Sequence, residues 1–168
     1  PLWYSPLLPV FFYLSALGVG CAMVIFESFM SSRVFKREIE MPILTQLGRV
    51  IVVILMVYTV IKVQDLLERG VFSAVWTFSL EMVLYWVEIG FGILLPMFLL
   101  ALPRVRTHPT GLFISALLVV LGFVLNRINV SITGMEGWAK AGYFPSWMEV
   151  TITVMIVAVG FALFALAA

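Results

Sequence analysis

Two glutamates lie within an apolar run that is long enough to cross a membrane. Glu81 and Glu88 both belong to the segment SLEMVLYWVEIGFGILLP, residues 79–96. Their seven-residue spacing is nearly two helical turns, so Glu81, Tyr85 and Glu88 line one stripe of a helix. Ionisable side chains at that depth must face the interior of a bundle or a watered cavity. The stripe is therefore a candidate functional site.

Proton transfer is the chemistry that suits a carboxyl group in this position. No basic residue of the chain is predicted at the depth of Glu88, and burial disfavours the charged form of a carboxyl. We therefore expect Glu88 to be neutral at rest and to exchange protons, with Tyr85 as a bridge to Glu81. The alternative is a protonated carboxyl that only joins helices by hydrogen bonds.

The other apolar runs also carry polar residues, and these are predicted at different depths in the membrane. Glu27 and Arg49, with Arg49 expected to be buried, extend the candidate proton path toward one end. Asn126 and Asn129 share one face of their helix. A candidate outer polar cluster lies toward the other end and comprises Lys62, Asp65, Asn126, Arg127 and Glu149. A structural ion pair is an equally good interpretation for Lys62, Asp65 and Arg127.

The composition is that of an integral membrane protein. Of 168 residues, 63% are hydrophobic and 11% charged, and the mean hydropathy is +1.15. A membrane-spanning helix needs about 20 apolar residues, and five runs are long enough, at about 7–31, 43–66, 76–102, 110–131 and 147–168. The predicted fold is all-α: a single polytopic transmembrane helical bundle over residues 1–168. Its ends suggest a piece of a longer polypeptide.

The orientation is predicted from the basic residues between the runs, which collect on the cytoplasmic side. Residues 32–42 and 103–109 contain five of them, whereas 67–75 and 132–146 contain two. The N-terminal end is therefore predicted outside and the C-terminal end in the cytoplasm. Aromatic residues gather toward the outer side, where they form an interfacial belt or a docking surface: Trp3, Tyr4, Trp76, Trp138, Tyr143 and Trp147.

Several functions are disfavoured by what the sequence contains. A net charge of +1 without a long basic run argues against nucleic acid as a partner. The single cysteine, Cys21, gives no iron–sulfur or metal motif. The single histidine, His108, is predicted in a loop, whereas a b-type haem needs ligands from spanning helices. We expect no haem, metal or iron–sulfur cluster in these helices.

Three segments resemble a known family: PLWYSPLLPVFFYLSALGVGCAMVIFES, GFVLNRINVSITG and YFPSWMEVTIT. They are similar to the C-terminal half of NrfD/polysulfide-reductase-type membrane subunits, and most closely to the HybB-type integral subunit of uptake NiFe hydrogenases. The resemblance covers almost the whole chain. It implies a subunit of eight to ten transmembrane helices in a bacterial inner membrane, without a cofactor of its own.

The resemblance also implies partners. Such subunits anchor a periplasmic ferredoxin-like iron–sulfur subunit and, in hydrogenases, the small and large subunits. They exchange electrons with menaquinone or ubiquinone, in a pocket usually assigned largely to the N-terminal bundle. Relatives in alternative complex III carry buried polar residues as a proton route. The resemblance therefore predicts a quinone-linked electron-transfer subunit with Glu81, Glu88, Arg127 and Glu149 among its buried polar groups.

Two other functions fit parts of the pattern. A passive membrane scaffold needs the aromatic outer face but has no use for Glu88. An ion or solute transporter also places charges in the membrane, but it typically breaks helices in corresponding halves. Gly92 and Pro96 interrupt the third run, and no matching break is predicted elsewhere.

The predicted orientation can be tested by cysteine labelling. A cysteine introduced near Lys36 should be protected from an impermeant thiol reagent added outside, because five of the seven loop basic residues lie on that side. A cysteine in residues 67–75 should react. Labelling near Lys36 in intact cells would reverse the orientation.

Overall fold

The computed structural model describes residues 5–36, 38–70, 76, 80–133 and 146–167. Of these, residues 80–81, 132–133, 160–161 and 163–167 are described by their backbone alone. The side chain of Glu81 therefore lies outside the described part. So do four residues of the predicted aromatic surface: Trp3, Tyr4, Trp138 and Tyr143.

The described residues form helices and no strands, in agreement with the predicted all-α class. In chain order they are α1 (Leu8–Phe35), α2 (Met41–Glu68), α3 (Leu80–Ile89), α4 (Leu95–Ala101), α5 (Pro103–Arg106), α6 (Pro109–Ile128) and α7 (Trp147–Ala167). Two π-helical turns lie among them. Gly90–Leu94 joins α3 to α4, and Asn129–Thr133 continues α6.

The number of spanning helices differs from the predicted five. Among the described residues, four helices are long and apolar enough to cross a membrane: Leu8–Phe35, Met41–Glu68, Met82–Ala101 and Pro109–Ser131. The fifth predicted run forms α7, where the described apolar stretch is the shorter Trp147–Val159. The α7 helix as a whole comprises 21 residues.

The four spans pack into one bundle with an apolar interior. α1 packs against α2 and α6, and α4 packs against α2 and α6. Short connections make successive spans antiparallel. Ile25, Ile51, Leu55, Val119 and Phe123 are almost completely buried between them. The outward faces are also apolar, as expected for a surface that meets lipid.

Proline and left-handed residues mark the helix ends. Proline occupies the first turn of α1, α2 and α6, where its missing N–H costs no helical hydrogen bond. Lys36 caps the end of α1, and Gly70 lies just beyond the end of α2. Both residues have a positive φ. Pro96 is different because it lies inside the third span, where it cannot donate to the carbonyl of Gly92. The π-helical turn Gly90–Leu94 accommodates that loss.

The fourth span carries a second irregular turn, Asn129–Thr133. The prediction that the third span alone is interrupted is therefore wrong. No proline or glycine marks this turn in the sequence, so the helix-breaking residues gave no signal for it. Both π-helical turns lie close in sequence to a candidate site residue, since the first follows Glu88 and the second follows Arg127.

Two glycines bring the third span and α6 into close contact. A Cβ added to Gly92 would lie 2.6 Å from the Cα of Gly122, and one added to Gly122 would lie closer still to Gly92. The backbones can approach this closely only because neither residue has a side chain. Small residues are the usual means of such close packing between helices in membranes.

Alanine at either glycine should separate these two helices. We expect Gly92→Ala or Gly122→Ala to destabilise the subunit by about 1–3 kcal/mol, because an inserted methyl group overpacks the contact. Thermal unfolding of the purified subunit in detergent measures the change. Gly20→Ala is a matched control, since a Cβ there meets nothing within 4 Å. Equal stability of Gly122→Ala and Gly20→Ala would contradict the contact.

Candidate functional site

Glu88 is completely buried between the third span and α6. The side-chain amide of Asn126 donates to its Oε1 at 2.6 Å, and that of Asn129 donates to its Oε2 at 2.7 Å. Both asparagines are buried as well. We call Glu88, Asn126 and Asn129 the carboxyl–amide cluster. Both carboxyl oxygens of Glu88 thus accept a hydrogen bond.

The glycine contact explains how short amide side chains reach the carboxyl group. Glu88 precedes Gly92 by four residues, and Asn126 follows Gly122 by four. Because the two helices are antiparallel, one turn along each from the glycine contact brings Glu88 opposite Asn126. Asn129 follows one turn later, at the start of the π-helical turn. The sequence spacing thus sets the register of the cluster.

Three further buried polar side chains surround the carboxyl–amide cluster. Lys62 is 5% exposed, and its ammonium group interacts electrostatically with Glu88 and Asp65. Tyr58 and Tyr85 are buried and both interact electrostatically with Glu88. Lys62, on the neighbouring helix α2, is thus a basic residue that interacts with Glu88.

Aromatic rings separate these polar groups from the lipid. Phe11 and Phe123 pack edge-on against Tyr58, with ring centroids 5.3 and 5.4 Å away. The Lys62 Nζ lies 5.0 Å from the centroid of the Phe11 ring, which is a cation–π distance. The site is thus a small polar centre inside an aromatic wall, where electrostatic interactions are weakly screened.

Asp65 forms a second buried group beside Lys62. Its Oδ2 makes an ion pair with Arg69 at 2.6 Å, and its Oδ1 accepts a hydrogen bond from the Ser5 hydroxyl at 2.6 Å. Its direct partners are therefore Arg69 and Ser5. Together these residues tie the chain before α1 to the end of α2. Polar groups thus continue from Glu88 through Lys62 and Asp65 toward this end of the bundle.

Arg127 joins α6 to α1 and makes no ion pair among the described side chains. Its guanidinium group donates to the Ser15 hydroxyl at 2.8 Å and to the Phe12 carbonyl at 3.3 Å. It also lies over the Phe12 ring, 3.6 Å from the centroid. Arg127 and Asn126 thus lie on different faces of α6. Asn126 faces Glu88, whereas Arg127 faces α1.

The remaining candidate residues lie apart from the carboxyl–amide cluster. Glu149 is exposed in the first turn of α7 and accepts a hydrogen bond from the Ser146 backbone at 3.3 Å. Glu27 is exposed on α1. Arg49 is exposed on α2, so the prediction that it is buried is wrong. The structure therefore does not bring Glu27 and Arg49 together with Glu88 inside the bundle.

Arg69 and Asn129 are not among the predicted site residues, although each bonds to one of them. A spacing rule could identify Arg69, which follows Asp65 by four residues, the spacing of a helical ion pair. Asn129 is predicted on the face of Asn126, but spacing alone does not place it beside Glu88. The role of Asn129 depends on the π-helical turn and on the glycine contact.

The sequence model of the polysulphide reductase NrfD family matches residues 1–137. A Nitratidesulfovibrio vulgaris protein is 35% identical to the chain, covering 94% of the chain and 42% of that protein. The "Probable Ni/Fe-hydrogenase 2 b-type cytochrome subunit" of Escherichia coli K12 is 29% identical, covering 95% of the chain and 41% of that protein.

A third relative is the "Menaquinone reductase, integral membrane subunit" of Nitratidesulfovibrio vulgaris. It is 25% identical, with 88% of the chain and 39% of that protein covered. The chain therefore spans about two fifths of the length of the curated relatives it matches. No solved structure matches the chain.

Removing one amide donor should destabilise the bundle. We expect Asn126→Leu to cost about 1–3 kcal/mol in unfolding free energy, because Glu88 loses a hydrogen bond while it stays buried. The control is Gln64→Leu, which removes an exposed amide that donates to Glu68 at 2.9 Å. It should change stability by about 0.5 kcal/mol or less. Equal losses in the two variants, measured by unfolding in mixed micelles, would contradict the buried interaction.

Proposed function

We propose that this chain, which belongs to the polysulphide reductase NrfD family, forms part of a membrane subunit that links a respiratory oxidoreductase to the quinone pool. The observation that carries the proposal is the carboxyl–amide cluster with Lys62 beside it, inside a multi-pass membrane bundle. A subunit that served as an anchor alone would not need a fully buried carboxylate.

The relatives support the quinone and the partner. One is named as the integral membrane subunit of a menaquinone reductase and another as a subunit of a Ni/Fe-hydrogenase. We infer that the complete subunit lies in a bacterial inner membrane and binds a periplasmic ferredoxin-like iron–sulfur subunit of a hydrogenase or a similar oxidoreductase. Menaquinone or ubiquinone is its exchangeable substrate.

We assign proton handling to Glu88. Reduction of a quinone takes up protons as well as electrons, and a site inside the membrane is shielded from water. A carboxylate that is held in place by two amides and lies near an ammonium group and two phenols can accept a proton and release it again. Lys62 and Asp65 then lead from Glu88 toward the end of the bundle where Arg69 is half-buried.

A b-type haem does not fit this chain, although the name of the Escherichia coli relative includes one. The one histidine, His108, is exposed directly before α6. Haem between membrane helices is held by side chains that project from those helices. We therefore place no haem, metal or iron–sulfur cluster here, and electrons must pass between the partner subunit and the quinone.

A transporter is the second candidate, because both the third and fourth spans contain a π-helical turn. Transporters typically unwind paired helices around the substrate. In this chain the turns flank Glu88 and Asn129, and these side chains bond to each other. The π-helical turns therefore serve to position the cluster, and the electron-transfer function is the better supported of the two.

Glu88→Gln separates participation in proton transfer from packing. Glutamine keeps the size of the side chain, and either asparagine can reverse its amide to maintain both hydrogen bonds, but glutamine cannot ionise. We expect quinone reduction by the purified complex to fall at least tenfold, within the range for loss of a general acid or base. Assembly and the partner's activity with a soluble dye should be unchanged.

The control is Glu68→Gln, which neutralises an exposed carboxylate at the end of α2. It should retain full quinone reduction. Full turnover in Glu88→Gln would show that Glu88 is a packing residue and would favour a scaffold. Uptake of solute by vesicles, abolished by Glu88→Gln, would instead favour a transporter.

A further inference from the structure

A groove lies between the end of α1 and the start of α6, on the opposite end of the bundle from the carboxyl–amide cluster. It has a volume of about 200 Å³ and is lined by Phe29, Met30, Arg33, Ile39 and Phe113, with Pro109 and Thr110 at its edge. We call it the α1–α6 groove. Because it sits where two spanning helices end, it lies at the boundary between hydrocarbon and water.

The floor of the groove is apolar and well packed. Phe113 stacks on Phe26 with ring centroids 5.5 Å apart and contacts Phe29 at 5.6 Å. Phe29 is buried, and Phe113 packs between it and Phe26 at the bottom of the groove. An acyl chain can lie along such a surface without loss of any polar contact.

The rim of the groove is positively charged. Arg33 is exposed in the last turn of α1, and it makes no hydrogen bond or ion pair with the residues that the structure describes. The acidic residues nearby in sequence, Glu38 and Glu40, line a separate groove on the other side of Ile39. Residues 32–42 and 103–109 together contain five basic and two acidic side chains, so this end of the bundle has an excess of positive charge.

An apolar groove with a basic rim at a membrane boundary is complementary to a phospholipid with a negatively charged headgroup. Long basic side chains there keep their charge in the headgroup region, and basic pockets between membrane helices bind anionic headgroups. We propose that the α1–α6 groove binds one anionic phospholipid, with an acyl chain over Phe29 and Phe113 and the phosphate at Arg33. Thr110 offers a hydroxyl group to the same headgroup.

The test uses the purified complete subunit, stripped of lipid in detergent and titrated with phosphatidylglycerol or phosphatidylcholine. Native mass spectrometry counts the bound lipid. Phosphatidylglycerol should bind more tightly than phosphatidylcholine, and Arg33→Gln should lower its affinity about fivefold, which corresponds to one basic residue near the headgroup. Arg104→Gln is the matched control, because it removes an exposed basic residue outside the groove. It should leave the affinity unchanged.

A second variant tests the groove independently of charge. Met30→Trp should fill the groove and reduce the binding of both lipids. Equal binding of phosphatidylglycerol by Arg33→Gln and the unaltered subunit would overturn the proposal. Displacement of the lipid by inorganic phosphate alone would also overturn it, since it would indicate a simple anion site. So would a failure to bind any lipid, which is the result expected if another segment of protein covers the groove.

Discussion

The hydrogen bonds from Asn126 and Asn129 to the Glu88 carboxyl group are the interaction on which the centre of this bundle depends. An ionisable side chain inside a membrane is tolerated only where polar partners replace water. The two amides meet that condition for Glu88. Both amides come from the fourth span, so the carboxyl–amide cluster fixes how the third and fourth spans lie relative to each other. The proposed function and the packing of these helices therefore involve the same contacts.

The short reach of the two asparagine side chains explains why the backbones near the carboxyl–amide cluster are so close. Asparagine is a short side chain, and it reaches a carboxyl group on another helix only where the two helices are close. The contact of Gly92 with Gly122 provides that approach, and Pro96 together with the π-helical turn Gly90–Leu94 changes the helical path beside it. A π-helical turn is less stable than a regular helix, and here it accompanies the position of the Glu88 carboxyl group beside its amide partners.

Much of the architecture could be predicted from apolar runs, because the hydrocarbon core imposes a minimum helix length that is visible in sequence. Four of the five predicted runs form helices long and apolar enough to span a membrane among the described residues, and the fifth forms α7. The position of Glu88 within a span could also be predicted, because Glu88 lies inside one of these apolar runs. Its partners were not predicted, because helix rotation and the second π-helical turn decide whether Asn129 or Arg127 faces Glu88. Arg49 was placed in the interior by its depth alone, and rotation of α2 exposes it.

The buried polar groups are distributed unevenly along the bundle. Lys62, Asp65, Glu88, Asn126 and Asn129 lie toward the end where α1 begins, whereas the opposite half of the described interior is lined mainly by residues such as Ile25, Ile51, Leu100 and Leu112. Ser115 is buried in that half, but its hydroxyl donates to the backbone of its own helix. Arg106 also has a buried Nε in that half, and its Nη1 donates to the Leu100 carbonyl at 2.8 Å. The polar side chains that interact with Glu88 therefore lie toward one end of the described bundle, and under the proposed role of Glu88 this is the end at which we expect its protons to enter.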